Sequence, residues 1–242
     1  MSPGLLVAIA LVIGFAAATQ SIVGFGYALL VVPVLTLLLG PKVAVVASTA
    51  VGAVLVAWNA WRWRSDIRWR EALTVSAAAL VAMPIGLAVL THADDQSLRV
   101  IVGITILVFT VWLWRGLRLP KGRRTEVVAG FTSGALAASV GTNGPPLVIA
   151  FQAVGMEPAP FRATLQFCFF IQATVAFALF WSRGLVVADV GATFVVGLPA
   201  AVMGALIGDR IAPRVHKGPF RAWILVLLGL AGVLALASAL RA

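Results

Sequence analysis

Apolar runs long enough to cross a lipid bilayer recur in this chain from one end to the other. They make up most of a 242-residue sequence in which 62% of the residues are hydrophobic and only 11% are charged. A soluble domain of this length could not bury so much apolar surface. Because the runs have the length of membrane helices, the sequence predicts an all-α polytopic membrane protein.

The positive charge of the chain is concentrated between these apolar runs. The net charge is +10, from 18 Lys and Arg against 8 Asp and Glu, which in a soluble protein would suggest nucleic acid as a partner. Here most of the cations fall in three segments, 62–70, 115–124 and 210–221. Short basic segments between spans are typical of cytoplasmic loops. The expected partner is therefore the lipid bilayer and not nucleic acid.

An ordered series of matches indicates that the chain is internally duplicated. The matches, in order, are Gly14 with Gly130, Gly24 with Gly141, Gly40 with Gly155, Thr49 with Thr164, and Pro84 with Pro199. Any one match is of little weight, but a series in the same order is unexpected by chance. We predict two homologous repeats, 1–117 and 125–242, joined by a basic cytoplasmic linker at 118–124.

Each predicted repeat contains five apolar segments, of which the last three are long enough to span a bilayer. The first two are shorter and meet at a Gly-rich break, "QSIVGFGY" in one repeat and "SVGTNGPP" in the other. They suit a re-entrant hairpin, which enters and leaves the membrane on one face. The segments are 4–19, 27–39, 42–61, 71–90 and 98–114, then 126–139, 145–154, 159–181, 186–207 and 220–240.

The charge distribution also predicts how the repeats are oriented. All three basic segments can lie in the cytoplasm only if the second short pair returns to its starting face. Each repeat then crosses the membrane three times, so the second repeat is inverted relative to the first. The predicted fold is two inverted repeats, each a Gly-rich re-entrant helical hairpin plus three transmembrane helices, with both termini outside.

The two breaks are the predicted binding site, for a small anion near the membrane midplane. Half-helices that end inside the membrane leave free N–H groups, with the positive dipole end of the second half-helix behind them. No Lys or Arg is near either break in the sequence, so neutral donors are expected. Close packing of small residues is the alternative interpretation. The predicted substrate-binding residues are Gln20, Ser21, Gly24, Gly26, Tyr27, Gly141, Thr142, Asn143 and Gly144.

Other polar residues inside the apolar segments carry weaker expectations. Asn59, Gln166 and Gln172 are expected to hydrogen-bond across helices. Arg162 is expected to extend to the cytoplasmic surface, the alternative being that it attracts an anion at an inner vestibule. The two matched threonines either face the breaks or bond their own helix backbone.

The sequence does not suggest an enzyme, a metal site or a cofactor. Both histidines, His92 and His216, fall in predicted loops, and no His, Cys and carboxylate cluster has metal-ligand spacing. A membrane scaffold or assembly protein without transport activity is the alternative function. It would explain packing glycines but not two equivalent breaks. Energy coupling, transport direction and a homo-oligomeric state are left open.

The paired breaks and their surroundings resemble the sulfite exporter TauE/SafE family of membrane permeases. The resemblance rests on "GFGYALLVVPVLTLLLGPKVAVVAST", "SVGTNGPPLVIAFQAVGMEPAPFRAT", "MPIG" and "LPAAVMGALIG", and covers nearly the whole chain. It implies transport of small anions, often sulfur-containing or carboxylate, across the inner membrane and commonly outward. The family's first motif is usually richer in glycine than Gly24-Phe25-Gly26-Tyr27, which leaves the particular anion open.

Overall fold

The computed structural model describes residues 1–116, 119–214, 226, 229–230 and 232–237. Its regular structure is helical, and the described residues contain no strand. Single 3-10 turns follow the third helix at Arg64–Asp66 and the ninth at Ala212–Arg214. The helices in chain order are α1 Pro3–Val23, α2 Tyr27–Leu39, α3 Pro41–Arg62, α4 Trp69–His92, α5 Asp95–Arg115, α6 Arg123–Ser139, α7 Gly144–Val154, α8 Pro158–Ser182 and α9 Ala188–Ile211.

Within the described part of the chain, six helices are long and apolar enough to cross a membrane: α1, α3, α4, α5, α8 and α9. This confirms the polytopic all-α membrane protein predicted from the apolar runs. Five of the six predicted full spans are among them. The remaining predicted span, 220–240, lies largely outside the described residues.

The first arm of the first predicted hairpin is longer than expected. We predicted a short segment at 4–19, but α1 has 21 residues and has the length of a full crossing. The helix continues through Gln20 and Ser21 because both side chains are buried against other helices and do not face lipid. It ends only at Gly24, whose φ of 95° is open mainly to glycine.

Three helices run in one direction along the bundle. Gly14 of α1 lies against Ala200 of α9, and Ser21 of α1 lies against Gly208 of α9, so both helices advance together. The α3 helix shares this direction, because Arg62 at its end pairs with Asp209 near the end of α9. Helices α1, α3 and α9 are therefore parallel.

Three other helices run in the opposite direction. In α6, Gly130 and Gly134 lie against Val75 and Ala79 of α4, so α4 and α6 are parallel. The α8 helix joins them, because the Arg68 N–H and the Ala72 carbonyl of the α4 region meet Thr164 and Cys168 of α8 in the same order. Against α3, however, α8 is antiparallel: Trp63 lies by Arg162, and Asn59 lies by Gln166.

Both short helices fold back on the chain. Tyr27 at the start of α2 packs against Gly52 of α3, whereas the end of α2 leads directly into α3, so these two are antiparallel. Likewise Gly144 at the start of α7 faces Phe169 of α8, and Phe151 near its end faces Phe161. Hence α2 returns toward the end where α1 began, and α7 returns toward the end where α6 began.

The two tightest helix pairs are built on glycine. A Cβ at Gly130 or Gly134 of α6 would collide with backbone of α4, and a Cβ at Gly204 or Gly208 of α9 would collide with backbone of α1. Membrane helices approach this closely where small residues line both surfaces. Each pair joins the first helix of one predicted repeat to the fourth helix of the other.

The two ends of the bundle differ in charge. One end, here named the basic end, carries the α3–α4 turn, the start of α6 and the end of α9, with Arg62, Arg68, Arg123 and Arg210. Lys121 also lies there, beside Gly155. At the opposite end Asp94 caps α5, and the hydrogen bond from Ser97 N–H holds the pKa of Asp94 below its ordinary value.

Candidate functional site

The first break is a backbone reversal between α1 and α2. Gly24 caps α1 and donates its N–H to the Gln20 carbonyl at 2.7 Å. Gly26 precedes α2 with a φ of 109°. Residues with side chains rarely adopt such angles, so the two glycines make the reversal possible.

The first break is held in place by side chains of α8. Arg162 donates from Nη2 to the Ser21 carbonyl at 2.9 Å, and Gln166 donates from Nε2 to the Gly24 carbonyl at 3.0 Å. These bonds serve carbonyl groups that the end of α1 leaves without a helical partner. The expectation that no Lys or Arg lies near either break is therefore wrong. It failed because Arg162 is 141 positions from Ser21 and reaches the break only through the packing of α8.

The second break is held by a neutral cluster. Gly141, with a φ of 69°, follows α6, and α7 starts at Gly144 with prolines in its first turn, where no N–H donor is needed. Ser133 donates to the Asn143 carbonyl at 2.8 Å and also contacts Gln172 Oε1 at 2.9 Å. The Asn143 Nδ2 donates to the same Gln172 oxygen at 2.9 Å.

The two breaks lie close to the middle of α8. Gln166 binds the first break and Gln172 binds the second, so about 9 Å of helix separates the two attachment points. Both glutamines are fully buried, and they lie on either side of the central residue of this 25-residue helix. Phe25 of the first break also faces Gly144 of the second. The breaks therefore meet about halfway through the bundle.

One cavity lies between the breaks, with a volume of about 70 Å³. This is several times the roughly 10–15 Å³ that a water-sized occupant needs. Seven of the nine predicted binding residues line it: Gln20, Gly26, Tyr27, Gly141, Thr142, Asn143 and Gly144. Ser21 and Gly24 do not, because they face α8 and give their carbonyls to Arg162 and Gln166.

The cavity wall offers neutral donors set in an apolar surround. The hydroxyls of Tyr27 and Thr142 are buried there without a partner among the described residues. The described residues on the wall include no charged side chain; the aromatic and small ones include Phe169, Ala173 and Ala176. Unpartnered buried donors are costly, which makes a hydrogen-bond acceptor a favourable occupant.

Some lining residues were not expected from the sequence. Ser48, Gly52 and Val56 of α3 line the cavity, as does Phe169 of α8. The sequence did not indicate Ser48 as a cavity residue, because a serine in an apolar run commonly donates to its own helix backbone. Ser48 does so here, to the Val45 carbonyl. The expected cross-helix bonding of Asn59, Gln166 and Gln172 is confirmed.

The matched threonines have separate environments. Thr49 both bonds the Val45 carbonyl at 2.8 Å and lines the cavity. Thr164 instead accepts the Arg68 N–H at 3.0 Å, which caps the start of α4. The two threonines match in the sequence, but only Thr49 lines the cavity, and the match did not predict this difference.

The fold is that of a multi-pass membrane protein with polar breaks that meet at an internal cavity, which is an architecture of membrane transporters. The family model described as "Sulfite exporter TauE/SafE" matches residues 8–235. The chain belongs to that family and is a bacterial multi-pass membrane transporter.

Two relatives of this chain are also named as membrane transport proteins. The chain is 27% identical over 206 residues to the "Probable sulfite/organosulfonate exporter TauE" of Cupriavidus necator, covering 80% of this chain and 79% of that protein. It is 28% identical over 179 residues to the "Probable inner membrane transporter protein TsaS" of Comamonas testosteroni, covering 69% of this chain and 72% of that protein. No solved structure gives a significant match.

Proposed function

We propose that this protein exports small anions, such as sulfite, sulfonates or small carboxylates, through a midplane site between the two breaks. The observation that carries this proposal is that both breaks meet at one small cavity with unpartnered neutral donors. Neutral donors and helix dipoles hold an anion less tightly than arginine does, which favours rapid release.

The helix directions support a site that is reached from both sides in turn. Helices that correspond in the predicted repeats run in opposite directions: α1 against α6, α3 against α8, and α4 against α9. Inverted repeats of this kind let one half move relative to the other around a central site. We infer that the duplication at 1–117 and 125–242 is an inverted repeat with two re-entrant hairpins.

The relatives' names support the substrate class and the direction. One is named as a probable exporter of sulfite or organosulfonates. The described lining residues offer donors but no charged side chain, and their alanine and phenylalanine side leaves room for a small apolar group beside an oxyanion. A scaffold role would leave unexplained why two hydroxyls without a partner among the described residues, those of Tyr27 and Thr142, belong to residues that line the cavity where the breaks meet.

The first test measures anion binding by the purified, full-length protein. Asn143→Ala should weaken binding of labelled sulfite by about 1–2 kcal/mol, the scale of one hydrogen bond to a charged group. Thr142→Val and Gln20→Ala, which also change the cavity wall, are measured in parallel with labelled methanesulfonate and acetate.

Gln152→Ala is the matched control for this test. It removes an amide from the exposed end of α7, away from the cavity wall, and should leave the affinity unchanged. If all three cavity variants bind each anion as tightly as the wild type does, the proposed site is wrong.

A further inference from the structure

Arg162 has unused hydrogen-bonding capacity inside the bundle. It sits in the second turn of α8 and is half-buried. A guanidinium has five N–H donors. Among the described residues, only the Ser21 carbonyl accepts one of them, and Nε is buried without a partner. The side chain therefore has donors left for a further acceptor.

Arg162 also lacks a carboxylate of its own. The charges that act on it most strongly are Asp209 and Arg62. Asp209 is already paired with Arg62 at 3.0 Å, and in the described part of the chain no carboxylate lies within ion-pair distance of Arg162. A partly buried cation without a counter-ion is costly, so an anion beside it would be stabilised.

The position of Arg162 is between the basic end and the first break. It precedes Gln166, which binds the first break, by one helical turn or about 6 Å of α8. It does not line the central cavity. Its guanidinium lies over the Trp63 ring at 4.8 Å, and Trp63 belongs to the α3–α4 turn at the basic end. An anion attracted by the arginines of that end would meet Arg162 before the cavity.

We propose that Arg162 forms a second anion site, separate from the central cavity, which receives the oxyanion from the basic end. The ligand class is a sulfonate, sulfite or carboxylate, whose paired oxygens match the planar donors of a guanidinium. Trp63 covers one face of the guanidinium, and the Ser21 carbonyl fixes its orientation. This inference rests on the proposed function, because the site serves the anion that moves on to the cavity.

A purely structural role for Arg162 predicts a different result. The guanidinium also neutralises the negative end of α1, so its loss could weaken the fold without changing any anion site. The test must therefore separate stability from binding, and loss of binding must follow loss of the planar guanidinium donors.

The experiment is equilibrium binding of labelled sulfite and of labelled methanesulfonate to the full-length protein at low and high NaCl. The wild type should show two classes of site, and affinity at the Arg162 class should fall more steeply with added NaCl, because this class depends on a charge that is only half-buried and salt screens it in part. Arg162→Gln should weaken this salt-sensitive class about tenfold or more, the scale of a charged hydrogen bond, and leave the other class within about twofold. Arg183→Gln, at the other end of α8, is the matched control and should change neither class.

The outcomes separate this inference from the proposed function. Two classes that both survive in Arg162→Gln, with only a lowered unfolding temperature, would assign Arg162 to support of α1 and overturn the second site. One class in the wild type, weakened by Asn143→Ala, would also overturn it while the proposed function stands. No anion binding at all would reject both. If Arg162→Gln does not fold, Arg162→Lys decides, because it keeps the charge and loses the planar donors: unchanged affinity of the salt-sensitive class overturns the proposal.

Discussion

The two breaks share a backbone design but are held by different chemistry. At the first break, α8 donates to backbone carbonyls, and one of its donors is the cation of Arg162. At the second break, the break itself supplies a donor, Asn143 Nδ2, and Gln172 of α8 accepts it. The difference teaches that the first break is mainly a supported helix end, whereas the second carries the polar side chains that we propose for the ligand.

The same contrast appears between α3 and α8, the helices that correspond in the predicted repeats. If Thr49 corresponds to Thr164, the α3 residues that match Arg162, Gln166 and Gln172 are Ala47, Val51 and Ala57. These are apolar and cannot hold either break by side-chain hydrogen bonds. Side-chain hydrogen bonds from α8 therefore reach both breaks, whereas the matching positions of α3 in the predicted repeat offer none.

The largest expected effect tests whether the second break tolerates a side chain. Gly141→Val should abolish transport in proteoliposomes, because a Cβ there lies 3.3 Å from Val32 and beside the cavity. Gly184→Val is the matched control: Gly184 has the same φ of 69° but nothing within 4 Å. It carries the same backbone strain, about 1–2 kcal/mol, without crowding the site. Equal loss of transport in both variants would show that strain alone, and not the cavity, explains the result.

The second prediction, with an effect of intermediate size, compares substitutions of the two glutamines of α8. Gln166→Leu leaves the Gly24 carbonyl unpaired and should lower the free energy of unfolding by about 1–3 kcal/mol, with anion affinity little changed. Gln172→Leu should have a similar effect on stability but also weaken anion binding about fivefold, because Asn143 loses its acceptor. Denaturation and binding are measured on the same preparations. Equal anion affinity in both variants would contradict the contrast between the breaks.

The third prediction, with the smallest expected effect, compares substitutions of the matched threonines. Thr49→Val removes a hydroxyl from the cavity wall and should weaken anion binding about twofold to threefold, with stability nearly unchanged. Thr164→Val should lower stability by about 1 kcal/mol, because the Arg68 N–H loses its cap, and leave binding unchanged. If binding responds to Thr164 and not to Thr49, the cavity has been placed on the wrong side of α8.

Local chemistry made much of the fold predictable. Apolar length predicted the spanning helices, and the Gly-rich breaks predicted where α1 and α6 give way to short helices, where Gly24, Gly26 and Gly141 adopt positive φ. Seven of the nine predicted binding residues line one cavity, because glycine, proline and polar side chains inside an apolar run signal irregular backbone.

Long-range packing decided what the sequence could not show. The extent of α1 depended on whether Gln20 and Ser21 face lipid or other helices, and this is not a local property. The approach of Arg162 to Ser21 depends on the placement of α8 against the end of α1. The pairing of Gln172 with Asn143 and Ser133 required three separate helical segments to be positioned first.

The glycine contact between α1 and α9 has a consequence for the order of synthesis. The partner surface of α6 already exists when α6 emerges, because α4 precedes it in the chain. The partner surface of α1 is made last: α9 is complete roughly 190 residues after α1, or about 10–40 s later at ordinary rates of translation. During that interval Gly14 and Ser21 of α1 have no α9 to cover them. In nascent chains stalled before residue 188, this surface of α1 should therefore contact lipid or a membrane chaperone. In the finished protein it contacts α9.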